Sequence, residues 1–541
     1  MKKLATLLLL VVISTVIKAQ NPFFQVVNYR GAFAPAPETP WTDGWTNWDP
    51  QNTSYGAPTV TVNTAITTNT TWTSNNVYLI QGLIYVKNGA TLTIQPGTVI
   101  RGDASISNSS LVITKGSKIN AVGTSSNPIV FTSSKDAGSR ALGDWGGVII
   151  LGKSTVNKVG GVGNIEGIAT SADTEYGGGA SPDDNDNSGN LKYVRIEYGG
   201  YVFATDQEIN GLTMGGVGRN TIIDYVQCSF INDDAFEWFG GTVNCSHLVA
   251  YRCLDDNFDT DNGFSGSVQF CLGVRDPNIS DQSTGSTSEG FESDNDAAGS
   301  TNTPQTTCVF SNITDISGFR GTVPVSLSSM GSTFKFRRGA RLRRNSGIKV
   351  LNSIMMDAPY GVFIDGTLCR ANLQTGVTVF KNNIVAGNLY ATEPGTASSV
   401  RDSLFSASKF KNDSLTSTSG LLTNPYDFTS PDYRPATGSL ALSNINFDDA
   451  AFNGRKIIVS SSSYIKEVSF RGAFAPAPSI PWTEGWTNWD PNNTQYPAPT
   501  VTVTGTITSN TTWTSNNTYK ISGLVYVASG VTLTIQPGTV I

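Results

Sequence analysis

Three short acidic motifs are the feature of this sequence most able to do chemistry. Residues 234–237, 256–259 and 289–292 each read acid, small or polar residue, phenylalanine, acid, and the last two continue in step to Asp261 and Asp294. If the motifs lie on adjacent strands, the phenylalanines stack inward and the carboxylates form two columns with a spacing of about 5 Å. Carboxylates at this distance repel each other and raise one another's pKa unless a cation, a basic side chain or a proton neutralises them.

Calcium is one interpretation of this acidic ladder, because Ca²⁺ is bound by oxygen ligands alone. The predicted metal ligands are the acids of the two columns, Asp234, Glu237, Asp256, Asp259, Asp261, Glu289, Glu292 and Asp294. A structural alternative is that these are corner residues whose carboxylates accept hydrogen bonds from backbone N–H groups.

Catalysis is the third interpretation, since paired carboxylates serve glycoside hydrolysis and a lyase would need Ca²⁺ with a basic residue. If the protein is an enzyme, the predicted catalytic residues are Asp233, Asp234, Asp255, Asp256 and Asp259, with Arg252 or Arg275 as the base.

A basic run follows the ladder, with six Lys or Arg among residues 335–344. Strand alternation predicts that Lys335, Arg337, Arg341 and Arg343 share one face. That face is a predicted ligand site for an acidic polysaccharide. The alternative is that these side chains pair with acids on neighbouring coils.

The composition excludes several other classes of function. The chain of 541 residues has 36 Lys and Arg against 42 Asp and Glu, a formal net charge of −6, which argues against nucleic acid as a partner. A single histidine, His247, excludes zinc sites with two or more histidine ligands. Residues 1–19 are predicted to be a signal peptide, and no other apolar run is long enough to span a membrane. Six cysteines in an exported chain are either disulfides or buried thiols.

An internal repeat sets the domain organisation. Residues 29–100 and 470–541 align without a gap and are identical at 54 of 72 positions. Each copy opens with a tryptophan-rich module, which we expect to cap an open end of the fold and join units. The expected domains are the signal peptide, a first Trp-rich cap or linker module, a β-helix with an irregular C-terminal part, a second Trp-rich module, and the start of a truncated second β-helix unit: 1–19, 20–74, 75–466, 467–515 and 516–541.

The pattern between the two modules predicts an all-β fold. Short β-rich segments alternate with Gly, Asn, Ser and Pro, and no long segment has a helical period. Residues 86–93 resemble residues 113–120 at an offset of 27, and residues 232–237 resemble residues 254–259 at an offset of 22. Weak repeats of this length are typical of a parallel β-solenoid.

Residues 75–320 also resemble the secreted right-handed parallel β-helix proteins common in Bacteroidetes. The resemblance rests on four segments, which are residues 89–100, 143–147, 192–200 and 233–241. It implies a right-handed parallel β-helix with export to the cell surface, often through the type IX secretion system, and it implies no established activity.

Taken together, these patterns predict a secreted or cell-surface repetitive β-helix protein with a structural, adhesin-like role. Its expected ligands are Ca²⁺ and an extracellular glycan, and lengthening by tandem duplication adds reach or avidity. The alternative function is a polysaccharide-active β-helix enzyme, either a lyase or a glycoside hydrolase.

Overall fold

The computed structural model describes residues 22–106, 108–204, 207–276, 279–281, 287–317, 336–393, 396–427, 431–455, 497–537 and 539–541. The chain divides into two compact units, Met1–Ile458 and Val459–Ile541. In the described ranges, no helix combines the length and the hydropathy needed to cross a membrane. The predicted signal peptide, 1–19, lies outside these ranges.

The first unit is a parallel β-helix, which confirms the predicted fold class. One of its sheets, called sheet A here, contains Leu83–Val86, Ser110–Ile113, Gly147–Leu151, Leu212–Gly215, Phe236–Phe239, Phe258–Asp261, Glu289–Ser293, Arg338–Leu342, Tyr360–Ile364 and Tyr390–Thr392, each parallel to the next. Both sequence offsets appear as strand registers, since Val86 pairs with Ile113 and Phe236 pairs with Phe258. Each offset is therefore one coil of the solenoid.

The remaining faces form a bent sheet, called sheet B. Its strands are Val60–Val62, Thr70–Trp72, Val77–Ile80, Thr91–Ile94, Val99–Gly102, Lys118–Val122, Ile129–Ser133, Gly189–Glu197, Ile222–Ser229, Asn244–Tyr251, Ser267–Val274, Val309–Ile316, Lys349–Leu351, Ile354–Met356, Val379–Lys381, Ile384–Ala386 and Asp413–Leu415. Part of the bend is made by residues with a left-handed backbone, Tyr193, Tyr225, His247 and Phe270. Their rings stack from coil to coil, with centroids 4.2 Å apart between Tyr225 and His247, and this contact offsets the strain of that backbone.

Smaller elements decorate the solenoid. The α-helices are α1, Gly366–Thr375, and α2, Ser398–Leu404, and the 3₁₀ turns are Val159–Gly161, Leu440–Leu442 and Ala450–Phe452. Within the described ranges, antiparallel pairs join Gly163–Asn164 to Glu175–Tyr176, Val202–Ala204 to Gln207–Glu208, and Leu422–Asn424 to Asp432–Pro435.

The core runs along the inside of the coils. Phe236, Phe258 and Phe291 are fully buried there, with ring centroids 6.0 Å and 5.1 Å apart between successive coils. The predicted inward phenylalanine stack is thus confirmed. Since the three rings alternate with the acids along each strand, the stack also sets which side chains of sheet A face outward.

The first Trp-rich module lies along a lateral face of the solenoid, whereas the sequence suggested a cap over an open end. Residues 22–56, called the strap here, contact coils that are far apart in the sequence: Arg30 pairs with Asp413 at 2.6 Å, and the backbone N–H of Asn47 donates to Gln227 at 2.9 Å. Trp45 is buried to 1% exposure. A lateral position follows because the strap covers the aromatic rings at the bend of sheet B.

The second unit repeats the first coils. Val501–Ile507 is parallel to Tyr519–Val527, and Thr511–Trp513 is parallel to Leu533–Ile535. In the first unit the equivalent strands pair in the same way, Val60–Val62 with Val77–Ile80 and Thr70–Trp72 with Thr91–Ile94. The tryptophans of the second module, within 467–515, lie outside the described residues except Trp513.

The six cysteines are free thiols, and all are buried. Burial raises the pKa of Cys253 and Cys369 to about 11 and the pKa of Cys245 and Cys308 to about 12. Because the thiolate is the reactive form, these thiols are protected in two ways: burial keeps reagents away, and the raised pKa keeps them protonated.

We therefore expect a thiol-specific reagent to modify none of the six cysteines in the native protein and all six in the denatured protein. Counting modified cysteines by intact mass, before and after adding guanidinium, measures this directly. If the protein shows no reactive thiols after denaturation without reductant, its cysteines are instead in disulfides.

Candidate functional site

The second acids of the three motifs form one column on the outer face of sheet A. Glu237, Asp259 and Glu292 are direct neighbours in register, and Arg341 is the next residue of the column. Strands in a sheet lie about 4.8 Å apart, so three successive carboxylates are brought together before a positive charge appears. The alignment predicted for the three motifs is present in the structure.

The first acids of the motifs form a second column with a different role. Asp256 donates its backbone N–H to Asp234 Oδ1 at 2.8 Å, and the N–H of Glu289 donates to Asp256 Oδ1. The same pattern begins one coil earlier, where the N–H of Asp234 donates to Asn210 Oδ1 at 3.2 Å. These side chains cap the corner between coils, and the carboxylates of Asp234 and Asp256 each keep a second oxygen for other contacts.

An insertion between sheets covers one end of the ladder. The segment after Leu151 carries Tyr176, which packs with Ile209 and Phe239 in an apolar cluster on the outer face of sheet A. Next to this cluster, Glu237 is only 5% exposed and accepts a hydrogen bond from Asn210 Nδ2. The carboxylates therefore lie in a setting of low polarity, where an unpaired charge is costly.

Carboxylates of the two columns, together with Asp233 and Asp255, meet in three overlapping groups. In each group the members offer oxygen atoms that all lie within 4.8 Å of one another, and the groups are Asp233, Asp234 and Asp255; Asp234, Glu237 and Asp259; and Asp256, Asp259 and Glu292. Asp234 and Asp259 are each shared by two groups. One oxygen of Asp259 and one of Asp255 are buried without a hydrogen-bond partner.

Burial, reinforced by neighbouring carboxylates, raises the pKa of every acid in these groups. The pKa of Asp255 rises to about 7 and that of Glu292 to about 8. The pKa values of Asp234, Glu237 and Asp259 lie well above their ordinary range. The groups therefore favour either protons or a bound cation at neutral pH.

The basic run lies at the other end of the ladder. Arg343 pairs with Glu292 and also contacts Asp294 at 2.9 Å, and Arg344 contacts Asp294 at 2.8 Å. Arg341 contacts Asp365 at 3.0 Å.

Two other members of the run differ in position. Arg338 forms a buried pair with Glu289. Arg337 is half-buried beside this pair, and its backbone N–H donates to the carbonyl of Ser288 at 3.0 Å. Lys335 lies outside the described residues. Arginines thus neutralise the acids of the last coil of the ladder, Glu289, Glu292 and Asp294. Among the described residues, no Lys or Arg forms an ion pair with the acids of the preceding coils, which are Asp234, Glu237, Asp256 and Asp259.

Two arginines predicted as bases are held by other groups. Arg252 donates from Nε to Asp276 at 2.9 Å. Arg275 is 1% exposed, donates to the backbone carbonyls of Leu254 and Asp255, and lies over the ring of Phe336. Both guanidinium groups are engaged in holding the coil corners.

Three predicted site residues remain: Asp261, a predicted metal ligand, and Asp233 and Asp255, predicted as catalytic residues if the protein is an enzyme. Asp261 lies two residues after Asp259 on the same strand, in register with Phe239 of the preceding coil, and burial raises its pKa to about 6. Asp233 and Asp255 adjoin each other at the corner, partly buried, where the N–H of Asp255 donates to the carbonyl of Asp233 at 3.3 Å.

Sequence reasoning missed three further acids near the ladder. Glu166, Glu208 and Asp281 lie in insertions and add to the raised pKa of Asp233. They stand outside the repeating motif, so their spacing carries no signal. Only the folded arrangement of the insertions brings them to this face.

Comparison with known proteins agrees with this architecture. A family model described as a pectate-lyase-like β-helix domain matches residues 64–423, about two thirds of the chain. No curated protein and no solved structure matches. The matched range contains the whole acidic ladder and the basic run, and its β-helix is of a kind found in surface and polysaccharide-related proteins. The chain is a member of the pectate-lyase-like β-helix domain family.

Proposed function

We propose that this protein is a structural, adhesin-like β-helix of the cell surface or the extracellular space, and that Ca²⁺ binds to its acidic ladder. The observation that carries the proposal is the set of three overlapping carboxylate groups, with oxygens within 4.8 Å in each. The described residues place no basic side chain in an ion pair with Asp234, Glu237 or Asp259.

Calcium suits this site for three reasons. Its ligands are all oxygens, it accepts six to eight of them in flexible geometry, and extracellular modules bind it at about 0.1–1 mM. Divalent cations bound in these groups would reduce the repulsion within the ladder and satisfy the unpartnered oxygens of Asp255 and Asp259, which belong to different groups. The predicted signal peptide supports export to a compartment where calcium is abundant, and the resemblance to Bacteroidetes surface proteins supports display through type IX secretion.

A structural role is supported by how the side chains are used. Asp234 and Asp256 cap corners, while Arg252 and Arg275 hold backbone and carboxylate groups in place. Groups fixed by such contacts stabilise a coil, and they are poorly placed to exchange protons with a substrate.

The test is calcium binding by protein that has first been chelated. Adding millimolar Ca²⁺ is expected to raise the melting temperature, since a ligand that binds only the folded state stabilises it by mass action. Asp259→Asn, which changes an acid shared by two groups, is expected to weaken binding about tenfold or more in calorimetry. The matched control is Asp402→Asn, because Asp402 is an exposed acid of α2. Equal calcium affinity of the parent and Asp259→Asn, or no binding by the parent, would refute the proposal.

A polysaccharide-active enzyme is a second candidate function, favoured by one observation. Asp255 has a pKa of about 7 and stands in one group with Asp233, as a general acid beside a second carboxylate would. If this candidate is right, acidic polysaccharides release reducing ends or unsaturated products, and Asp255→Asn abolishes the release. The structural proposal expects no turnover by the parent protein.

A further inference from the structure

The strap lies on one face of the first unit, called the strap-binding face here. Near the start of the strap, Arg30 is fully buried and pairs with Asp413 at 2.6 Å. Near its end, the hydroxyl of Tyr55 donates to Glu197 at 2.8 Å. Between these two points the strap contacts Tyr225, Gln227, Thr314 and Tyr433. Because the contacts are spread along its whole length, the face recognises one particular sequence of residues.

The closest approach of the strap to this face requires a glycine. Gly31 has a φ of +86°, and a Cβ atom added there would lie 2.6 Å from Cδ1 of Ile354. The next residue, Ala32, donates its backbone N–H to Thr314 at 2.8 Å. A segment that binds here therefore needs a glycine directly after the arginine that reaches Asp413.

The second Trp-rich module supplies the same residues in the same order. Residues 470–497 align with residues 29–56 without a gap, and Arg471 and Gly472 stand at the positions of Arg30 and Gly31. The other strap residues that contact the face also have identical equivalents in the second module, which are Ala473, Trp482, Trp486, Asn488, Trp489 and Tyr496.

The differences between the two modules fall mainly at positions that are exposed in the strap. Exposed positions that differ are Glu38, Thr39, Asp43, Ser54 and Gly56, whereas Tyr29 and Gln51 differ and are partly buried. Within residues 30–56, every buried position has the same residue in both modules, and these positions are Arg30, Gly31, Ala32, Phe33, Thr42, Trp45 and Pro50. The second module thus keeps the side chains that face the solenoid and changes those that face solvent.

We propose that the strap-binding face of one copy of this protein binds the second module, residues 470–496, of another copy in place of its own strap. Such an exchange replaces each lost contact with an equivalent one, which is why segment swapping is a low-cost route to association. The strap competes as a tethered ligand, with an effective concentration in the millimolar range, so exchange is favoured where copies are crowded. The proposal is independent of calcium binding, since none of the ladder acids takes part.

The test is cross-linking between two variants that each carry one added cysteine. Arg434 donates to the backbone carbonyl of Glu38 at 3.0 Å, and Ser479 is the equivalent of Glu38 in the second module. Ser479→Cys protein is mixed with Arg434→Cys protein and treated with a short bismaleimide, and heterodimers are counted by intact mass. The six native cysteines are buried, so the added thiols are the ones expected to react. Heterodimers are expected to form, in a yield that rises with protein concentration.

Matched variants of the Ser479→Cys protein show whether the module is what binds. Adding Trp486→Ala, at the position of Trp45, is expected to lower the yield of heterodimer about tenfold or more. Adding Ile480→Ala, at the position of the exposed Thr39, is expected to leave the yield unchanged. Ser509→Cys replaces Ser479→Cys as a further control, because Ser509 is exposed in the second unit but lies outside the module. The Arg434→Cys protein is the same in every mixture, so the fold of the receiving face is constant.

Three results would overturn the proposal. One is the absence of heterodimer from Ser479→Cys and Arg434→Cys at protein concentrations up to about 1 mM, where exchange with a tethered strap is expected. Another is an equal yield when Ser509→Cys takes the place of Ser479→Cys, which would indicate random collision. The third is an undiminished yield with Trp486→Ala, which would show that the module does not occupy the site of the strap.

Discussion

Chelated protein is expected to lose stability as the pH rises from about 5 to about 8. The pKa values of Asp255 and Glu292 rise to about 7 and about 8 in the folded state, whereas in the unfolded chain both groups ionise near pH 4. In that window the folded state binds more protons than the unfolded state, so the free energy of unfolding falls with increasing pH. Below about pH 4 these carboxyl groups are protonated in both the folded and the unfolded state, so their contribution to the free energy of unfolding no longer changes with pH.

The expected effect is large. A single carboxyl whose pKa rises by about three units contributes on the order of 4 kcal/mol, and the ladder contains several such groups. Calcium binds the ionised form, so adding it at about pH 8 is expected to recover most of the loss. Urea unfolding at about pH 5 and about pH 8, each with chelator and with Ca²⁺, measures the four free energies of unfolding.

The matched variants separate the ladder from other titrating groups. Asp255→Asn with Asp259→Asn removes two of the raised carboxyls and is expected to flatten the pH dependence. Asp402→Asn, at an exposed acid, is expected to leave it unchanged. Equal unfolding free energies of the chelated parent at both pH values would show that the buried acids are neutralised by groups of the protein itself.

The coils and the alignment of the acids could be predicted from the sequence because they are periodic. The offset that relates Asn232 to Leu254 is the coil length, so it also aligns Phe236 with Phe258 and Glu237 with Asp259. Stacking like residues on like residues is a property of the solenoid, and a period in the sequence reports it directly.

The different roles of the two columns could not be predicted in the same way. Asp234 and Glu237 stand in one motif, yet the first caps the backbone of the next coil and the second lies against an apolar insertion. A period fixes which residues are neighbours, but burial depends on the insertions that cover them. Those insertions, which bring Glu166, Glu208 and Asp281 to the ladder, do not repeat.

The position of the strap also could not be predicted from the sequence, because it depends on contacts between distant residues. Tryptophans spaced three or four residues apart indicate a buried cluster, and Trp45 is indeed buried. Their partners, such as Tyr225 and His247, are about 200 residues away, on the bend of sheet B. Local spacing carries no information about which face of the solenoid such a segment covers.

Removing the strap tryptophans is expected to destabilise the first unit by several kcal/mol. Trp45 fills a fully buried site between Tyr193 and Tyr225, and its indole N–H donates to the backbone of Trp41 at 2.8 Å. Replacing a buried tryptophan with alanine costs about 3–5 kcal/mol through the cavity it leaves. Trp41 and Trp48 are partly buried, so their replacement adds smaller amounts.

The strap holds the solenoid through paired amide contacts as well as through its rings. The N–H and carbonyl of Asn47 both bond to the side chain of Gln227, at 2.9 and 3.0 Å, and Gln25 and Gln269 repeat the arrangement at 2.8 Å. Once the tryptophans are lost, these contacts no longer secure an ordered segment, and the aromatic rings at the bend of sheet B become exposed.

The strap prediction is checked by urea unfolding of Trp45→Ala and of the triple variant at Trp41, Trp45 and Trp48. Val26→Ala is the matched control, because Val26 belongs to the strap but is 59% exposed, and it is expected to unfold like the parent. Binding of polysaccharide is expected to fall only in step with unfolding. A triple variant that unfolds like the parent but loses polysaccharide affinity would make the module a carbohydrate-binding surface, since only exposed rings could be removed without a cost in stability.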